Sequence, residues 1–188
     1  ITEKLLETTD PMEIVNEIVV PALDKTGADF ESGKIFLPQL ILSAGVAQEA
    51  FEVIKNHLAN GNNTPVSKGN IVVATVKGDV HDIGKNIVKV LLENYGYTVT
   101  DLGKDVEYQA VVDAIKEHDC QLVGLSALMT TTLGSMEDTI KLIKENNLNC
   151  KIMVGGAVLT PEYAEKIGAD FYSKDAKQSV DIAKQVIG

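Results

Sequence analysis

The chain has 188 residues, 45% of them hydrophobic, which is enough for one large or two small folded domains. Its 27 acidic and 17 basic residues give a formal net charge of −10, and its lysines are scattered, whereas a nucleic-acid partner attracts clustered basic residues. The apolar runs fall far short of the ~20 residues of a membrane span, and no secretion leader opens the chain. We therefore expect a cytoplasmic protein with neither nucleic acid nor membrane as partner.

The first third of the chain has helical periodicity. Asp10 and Pro11 have the composition of a helix start, and apolar residues then repeat at helical spacing over 14–23. Pro21 lies inside that pattern and predicts a kink or a break. A second amphipathic stretch covers 38–58. These patterns predict a small bundle of the four-helix type, built from three or four short helices.

Residues 59–69 are rich in Asn, Gly and Pro and have the composition of a linker. We place the domain boundary within it, so that residues 1–63 form a helical domain and residues 64–188 form an α/β domain.

After the linker, short β-branched runs alternate with amphipathic helices. The predicted strands cover 71–76, 98–100, 121–125, 151–154 and 169–172. The predicted helices cover 85–95, 108–118, 135–146, 161–167 and 179–187. This alternation predicts a flavodoxin- or Rossmann-like five-stranded parallel sheet with helices on both faces. Such sheets bind ligands beyond the carboxyl ends of their strands, where the strand order reverses.

Polar and small residues collect after three of the predicted strands. Asp79, His81 and Asp82 follow the first strand, the hydroxyl-rich segment 126–132 follows the third, and Gly155-Gly156 follows the fourth. Because the carboxyl ends of parallel strands lie at one edge, these loops predict a pocket that can admit a large ligand.

His81 is the candidate metal ligand of this pocket. A neutral imidazole can bind a metal through one nitrogen while a carboxylate holds the other, and Asp79 is the nearest candidate for that carboxylate. The hydroxyl group of Thr132 could extend the chain of hydrogen bonds and carry a proton.

Plainer interpretations of the same residues stay open. A loop histidine is often only solvated, the Asp-Val-His-Asp segment can belong to a divalent-cation site, and Gly155-Gly156 can be only a tight turn. The other histidines, His57 and His118, lie on predicted helices away from the strand ends, so a zinc site made by the protein alone would lack ligands. Residues 78–84 do not match a dinucleotide or P-loop fingerprint.

Taken together, three segments resemble the signature of B12-binding domains that hold cobalamin with its own base displaced: Asp79-x-His81-x-x-Gly84, Ser126-x-Leu128 and Gly155-Gly156. The resemblance implies that His81 is the axial cobalt ligand. It also implies that the displaced nucleotide tail lies in a slot lined by the second and third segments.

The helical part resembles the cap module of cobalamin-dependent methionine synthase and of corrinoid proteins from methanogens and acetogens. The residues that carry this likeness are Phe30-x-x-Gly33-Lys34-x-Phe36-Leu37-Pro38-Gln39. The resemblance implies that Phe30 and Leu37 shield the methyl-bearing face of the corrin, although both could simply fill the bundle core. The run 75–88 (TVKGDVHDIGKNIV) is especially similar to methionine synthase.

The resemblance also implies the full set of site residues. Asp79 is the partner of His81, and Thr132 is the third member of a proton relay, at a position where the family usually has serine. The implied cofactor-binding residues are Gly78, Asp79, Val80, His81, Asp82, Gly84, Ser126, Leu128, Thr130, Gly155, Gly156, Ala176, Phe30 and Leu37.

We therefore predict a fragment of methionine synthase whose cofactor, methylcobalamin, carries a methyl group from methyltetrahydrofolate to homocysteine. The expected partners are the domains or subunits that bind the methyl donor and the thiol acceptor, and a reductive reactivation partner. The alternative is a corrinoid protein of a methanol, methylamine or O-demethylase methyltransferase system, which has the same two modules. The cap argues against a B12-dependent mutase and the lack of tryptophan against a B12 sensor, and a flavodoxin-like module without B12 is the remaining class.

Overall fold

A computed structural model of the chain describes residues 1–60 and 67–188. The N-terminal elements are all helical: α1 (Thr2–Leu5), α2 (Pro11–Glu13), a π-helical segment (Ile14–Val19), α3 (Val20–Glu31) and α4 (Leu37–Asn60). Asp10 caps the start of α2, because its carboxylate accepts the backbone N–H of Glu13 at 3.3 Å.

Helices α2 and α3 are continuous through the π-helical segment, so this stretch is one long helix where short ones were expected. The backbone N–H of Val20 donates to Val15 O, five residues back. Pro21 follows at once, in the first turn of α3, where its missing N–H is tolerated. The irregularity predicted at Pro21 is therefore a change in hydrogen bonding just before it, without a break.

The helical elements bury one apolar face, as the sequence periodicity predicts. The buried side chains come from the long helical run and from α4: Ile14, Val15, Val19, Leu23, Leu40, Ala44, Ala47 and Ile54.

The rest of the chain is a five-stranded sheet with its helices. The strands are β1 (Asn70–Thr75), β2 (Thr98–Asp101), β3 (Leu122–Ser126), β4 (Lys151–Gly155) and β5 (Phe171–Ser173). The helices are α5 (Ile83–Asn94), α6 (Tyr108–Glu117), α7 (Leu133–Glu145), α8 (Pro161–Lys166) and α9 (Ala176–Val186). All neighbouring strands are parallel, in the order β2-β1-β3-β4-β5. The predicted fold class is confirmed.

The sheet is buried because alternate residues of each strand face opposite layers of helices. One face packs on α6, α7 and α8 through Val72, Ala74, Val123, Leu125, Ile152 and Val154. The order reverses between β1 and β3, so the loops that follow these two strands border the crevice where such sheets bind ligands.

The described residues form two compact units. One contains the N-terminal helices and Glu93–Gly96, and the other contains Lys68–Leu92 and Tyr97–Gly188. The predicted boundary after residue 63 and most of the predicted linker fall within 61–66, outside the described residues, so the boundary stays a prediction. No helix in 1–60 or 67–188 combines the length and the apolar character needed to cross a membrane.

Candidate cofactor-binding site

The three sequence motifs of the sheet lie at one edge because the strand ends are in register. Thr75 is paired with Ser126, Ser126 with Gly155, and Gly155 with Ser173. The loops that follow these residues therefore leave the sheet side by side, and they carry His81, Thr132 and the glycine pair.

The carboxylate of Asp79 is the fixed point of this edge, and it is fully buried. Its Oδ1 accepts the backbone N–H of His81 at 3.0 Å and pairs with His81 Nδ1 at 2.8 Å. Its Oδ2 accepts the backbone N–H groups of Leu128 at 2.7 Å and Met129 at 3.2 Å, and the Thr132 hydroxyl at 2.9 Å. Asp79 thus joins the loop after β1 to the loop after β3.

These hydrogen bonds keep Asp79 ionised. Burial alone would raise the pKa of its carboxyl group, but the N–H groups of His81 and Leu128, the His81 ring and the Thr132 hydroxyl together hold that pKa well below the usual range. An ionised carboxylate is only an acceptor, so the atom of His81 that faces it, Nδ1, must carry a hydrogen.

In the neutral imidazole with its hydrogen on Nδ1, the other ring nitrogen of His81, Nε2, is the one with the lone pair. The His81 side chain is 46% exposed, and no hydrogen-bond partner of Nε2 lies among residues 1–60 and 67–188. A carboxylate on Nδ1 and an open Nε2 is the arrangement in which histidine binds metals.

Thr132 fits the site in place of the serine that the resemblance implies at this position. Its hydroxyl lies 2.9 Å from Asp79 Oδ2 and also 2.9 Å from Met129 O, so its one hydrogen can be given to either acceptor. Its methyl group is directed towards Gly78, where even an added Cβ would lie 3.5 Å from it, an ordinary contact. The hydrogen bond to Asp79 is thus present with threonine.

The glycine pair is explained first by backbone packing. Gly156 has φ +139°, and a Cβ there would lie 1.8 Å from Ala127 O. A Cβ on Gly155 would lie 3.0 Å from Ser173 O. Both glycines therefore let the end of β4 lie close to the neighbouring chain segments, so they do not serve only as a tight turn. A glycine backbone can also approach a ligand closely.

Exposed apolar side chains lie close in sequence to the residues of the Asp79 network. Val80 is 56% exposed, Ile83 78% and Leu128 42%, and each is within two residues of a member of the Asp79 network. Gly84, in the first turn of α5, borders open space, because nothing lies within 4 Å of a Cβ built there. This surface suits a ligand with a broad apolar body more than a hydrated ion.

The other predicted cofactor-binding residues differ in burial. Asp82, Ser126 and Ala176 are half-buried, with Ala176 at the start of α9, while Gly78 and Thr130 are exposed. In the helical unit, Phe30 and Leu37 are half-buried on either side of the turn at Gly33.

Three features of this edge were missed at the sequence level. The backbone N–H groups of Leu128 and Met129 could not be predicted from residue type, because every residue except proline has such a group. The Lys85 ammonium is buried and pairs with Asp101 at the end of β2. Its position directly after the segment 79–84 was the only sequence feature that could have indicated this. Asp105 bonds the loop that carries His81.

No group of three or more His, Cys, Asp and Glu side chains that could hold a metal occurs in the described parts of the chain. A metal on His81 Nε2 must then bring most of its other ligands, as a metal in a macrocycle does. The half-exposed His81 side chain, the exposed apolar residues of the same loops and the open space at Gly84 fit such a group.

Comparisons with known proteins decide which macrocycle this is. The family model of the B12 binding domain matches residues 69–181, and a second B12 binding domain model matches residues 1–55. The chain belongs to the B12-binding corrinoid proteins. The cofactor class is therefore a cobalamin-type corrinoid, and the N-terminal helices are the family's cap domain.

Several members of this family match nearly the whole chain. Dimethylamine corrinoid protein 1 of Methanosarcina acetivorans is 41% identical over 98% of this chain and 87% of its own length. A cobalamin-binding protein structure from Desulfitobacterium hafniense DCB-2 has a TM-score of 0.84 at 32% identity, over 100% of this chain and 89% of its own. The structure of the methanol:cobalamin methyltransferase complex MtaBC of Methanosarcina barkeri gives 0.83 at 31% identity, over 97% and 70%.

Proposed function

We propose that this protein is the methyl-carrying corrinoid protein of a methyltransferase system that uses methylamines, with dimethylamine as the first donor to test. The observation that carries the proposal is the state of His81: Nδ1 is held by a buried, ionised Asp79, the side chain is 46% exposed, and Nε2 has no hydrogen-bond partner among the described residues. The choice of donor is supported by the dimethylamine corrinoid protein that is 41% identical over 98% of the chain.

The comparisons favour the alternative interpretation of the sequence over the fragment of methionine synthase. This chain covers 87% of the dimethylamine relative, so that relative has little room beyond the two modules seen here. The likeness of residues 75–88 to methionine synthase misled the assignment because that segment serves the cofactor, which both groups share. We therefore propose neither folate nor homocysteine as the exchange partners.

In the proposed mechanism, His81 would hold the cobalt of the corrinoid through Nε2. The bound corrinoid supplies a metal centre that takes up a methyl group and gives it away. Asp79 fixes the tautomer and the ring orientation of His81. When Nε2 is not engaged it can take up a proton, and Asp79, 2.8 Å from Nδ1, neutralises the imidazolium. The Thr132 hydroxyl supports the Asp79 charge or turns to Met129 O.

The other predicted residues are proposed to bind the body of the cofactor. Ser126, Leu128, Thr130 and the loops with Gly155, Gly156 and Ala176 are proposed to receive the nucleotide tail. Gly78, Val80, Asp82 and Gly84 are proposed to border the lower face, and Phe30 and Leu37 to shield the upper face. The register of the strand ends supports the first group, because it brings these loops to one edge.

Methyl donor and acceptor need sites of their own, and we propose that they lie on separate partner proteins, with a thiol as acceptor and a reductase for reactivation. The relative structure of the methanol:cobalamin methyltransferase is itself described as a complex, which supports this arrangement.

The histidine assignment is tested by colour. The cofactor-free protein is mixed with methylcobalamin, and the wild type is expected to be red, with His81 on cobalt. His81→Gly is expected to be yellow, because no nitrogen then occupies the lower position. His57→Ala, which removes an exposed histidine of α4, is the matched control and stays red. A red His81→Gly complex would contradict the assignment.

The donor is tested by product. The reduced, cobalamin-loaded protein is incubated with dimethylamine and a dimethylamine methyltransferase, and released monomethylamine is measured by chromatography. Without an acceptor we expect about one monomethylamine per bound corrinoid, since each carrier is filled once. Methanol with its own methyltransferase is the parallel arm, and methyl transfer only from methanol would move the proposal to that donor.

A further inference from the structure

A second loop lies along the loop that carries His81. It follows β2 and continues its pairing past the end of the sheet. Thr75 N–H donates to Gly103 O at 2.9 Å, Val106 N–H donates to Thr75 O at 3.1 Å, and Val76 and Val106 form an isolated parallel bridge. The start of the His81 loop is therefore held from the β2 side as well as from β3.

Within this loop, Asp105 bonds both sides of the peptide that leads into Asp79. Its backbone N–H donates to Asp79 O at 2.9 Å, and its Oδ1 accepts the backbone N–H of Gly78 at 2.8 Å. One residue thus fixes the main chain immediately before and at the carboxylate that orients His81.

The backbone of Asp105 is held in a conformation that most side chains avoid. Its φ is +54°, in the left-handed region, where aspartate is tolerated better than most residues and still costs about 1 kcal/mol. The two hydrogen bonds offset that cost. These two hydrogen bonds fix the loop more than the ion pair between Lys77 and Asp105 does, because that ion pair is exposed and exposed pairs contribute little.

The charge of Asp105 agrees with this role. The pKa of its carboxyl group lies below the usual range, first because it accepts the Gly78 N–H and then because Lys77 donates to it. The acceptor is therefore fully formed at neutral pH.

We propose that Asp105 is a positioning residue for the cobalt-ligating histidine: by bonding Gly78 and Asp79 it sets where the Asp79 carboxylate holds His81. The inference rests on the proposed function, in which His81 Nε2 binds cobalt. It assigns a role to a residue that follows the next strand in the sequence, outside the His81 motif.

The variants separate the acceptor, the charge and the backbone conformation. Asp105→Gly removes the acceptor and leaves the left-handed conformation free of strain. Asp105→Asn removes the charge and keeps the oxygen, and asparagine also tolerates this conformation. Both variants keep the Asp105 backbone N–H.

A matched control lies elsewhere in the sheet. Asp170 makes the same two-way contact with Ile152, donating its N–H to Ile152 O at 2.9 Å and accepting Ile152 N–H at 2.9 Å, and it pairs with Lys151. These residues lie at the amino-terminal edge of the sheet, opposite His81. Asp170→Gly therefore reports what the loss of such a contact does to stability alone.

The first readout is the ratio of red to yellow methylcobalamin complex across a pH titration. We expect Asp105→Gly to lower the histidine-bound ratio about tenfold at a given pH, the effect typical of losing support behind a metal ligand. The acid midpoint then moves up by about one pH unit. Asp105→Asn and Asp170→Gly should match the wild type. Overlapping curves for Asp105→Gly and wild type would overturn the inference, and so would an Asp105→Asn curve that follows Asp105→Gly.

The second readout needs no cofactor. Amide hydrogen exchange of His81 and Leu128, whose N–H groups bond Asp79, should be about tenfold faster in cofactor-free Asp105→Gly than in wild type or Asp170→Gly. Unchanged exchange would overturn the positioning role. If the wild type itself bound methylcobalamin without turning red, the proposed function would fail, while the exchange data would still decide what Asp105 does.

Discussion

The two halves of the carboxyl edge of the sheet are built in different ways. After β1 and β3, the loops are joined by a buried carboxylate with five hydrogen-bonding contacts. After β4, the loop is fixed by close backbone packing: Gly156 lies so close to Ala127 that no side chain fits there. The first half orients the His81 side chain, and the second lets the backbone of β4 lie close to its neighbours.

This contrast predicts two kinds of sensitivity. The first half should respond to changes of charge and hydrogen bonding at constant size. The second should respond to added atoms, whatever their polarity. The variants below test that division, from the largest expected effect to the smallest.

Gly156→Ala should be the most damaging single change at this edge. Its Cβ would overlap Ala127 O, and its φ of +139° is one that side chains rarely adopt, so the backbone must move. We expect a loss of roughly 3 to 5 kcal/mol in the free energy of unfolding, measured by urea denaturation.

Gly134→Ala is the control for that experiment. Gly134 lies in the first turn of α7, and nothing occurs within 4 Å of a Cβ built there. We expect no loss of stability and a gain of up to about 1 kcal/mol. A similar loss of stability in both variants would show that the close contact between Gly156 and Ala127 is not the cause.

Asp79→Asn keeps the size of the side chain and disturbs the first half. Its amide NH₂ must face either the His81 ring or the N–H groups of Leu128 and Met129, so donors meet donors or the ring tautomer reverses. We expect the histidine-bound fraction of methylcobalamin to fall about 10- to 100-fold and stability to fall by about 1 to 3 kcal/mol. Absorbance titration and urea denaturation measure the two effects, and a wild-type spectrum would contradict them.

The stability difference between wild type and Asp79→Asn should depend on pH. The pKa of Asp79 is lowered in the folded protein from an ordinary value of 3.8. A depressed pKa stabilises the fold above the unfolded value and loses that contribution as pH falls towards the folded value. The difference should therefore shrink as the pH falls below about 4, where the unfolded carboxyl group takes up a proton. A difference that grew as the pH fell below about 4 would show the wrong sign.

Thr132 should give the smallest effects. Thr132→Val removes the hydroxyl at nearly constant volume, but Oδ2 of Asp79 keeps two backbone donors. We expect a loss of about 1 kcal/mol and a modest fall in the histidine-bound fraction. Thr132→Ser keeps the hydroxyl and should retain the wild-type spectrum. Equal spectra for all three proteins would remove Thr132 from the relay.

The sequence predicted the sheet well because its elements are short and strongly patterned. The predicted strands and helices of the α/β part end within about three residues of those observed, and the strands before His81 and before Gly156 end within one residue of their predicted ends. Hydrophobic runs that are buried on both faces leave little choice of structure. The π-helical segment before Pro21 was missed because its residues also suit an ordinary helix.

The site was only partly predictable for a different reason. Asp79, His81 and Thr132 were found because each has a functional group that chemistry singles out. Leu128 and Met129 act through backbone N–H groups, which every residue except proline has. Asp105 acts through a left-handed backbone and a contact across two loops, and its neighbours in sequence do not indicate either. Such contacts become visible only when the register of β1 and β2 is known.

The account depends most on one bond, between His81 Nε2 and cobalt. Electron paramagnetic resonance of the protein loaded with cobalamin in its cobalt(II) state measures it directly, because the axial nitrogen splits each cobalt line. With histidine labelled with ¹⁵N and cobalamin left unlabelled, the account predicts that the triplet splitting of the unlabelled protein becomes a doublet, and that His81→Gly shows neither. A triplet that persists after labelling would mean that the cofactor keeps its own base, and would contradict the assignment of His81.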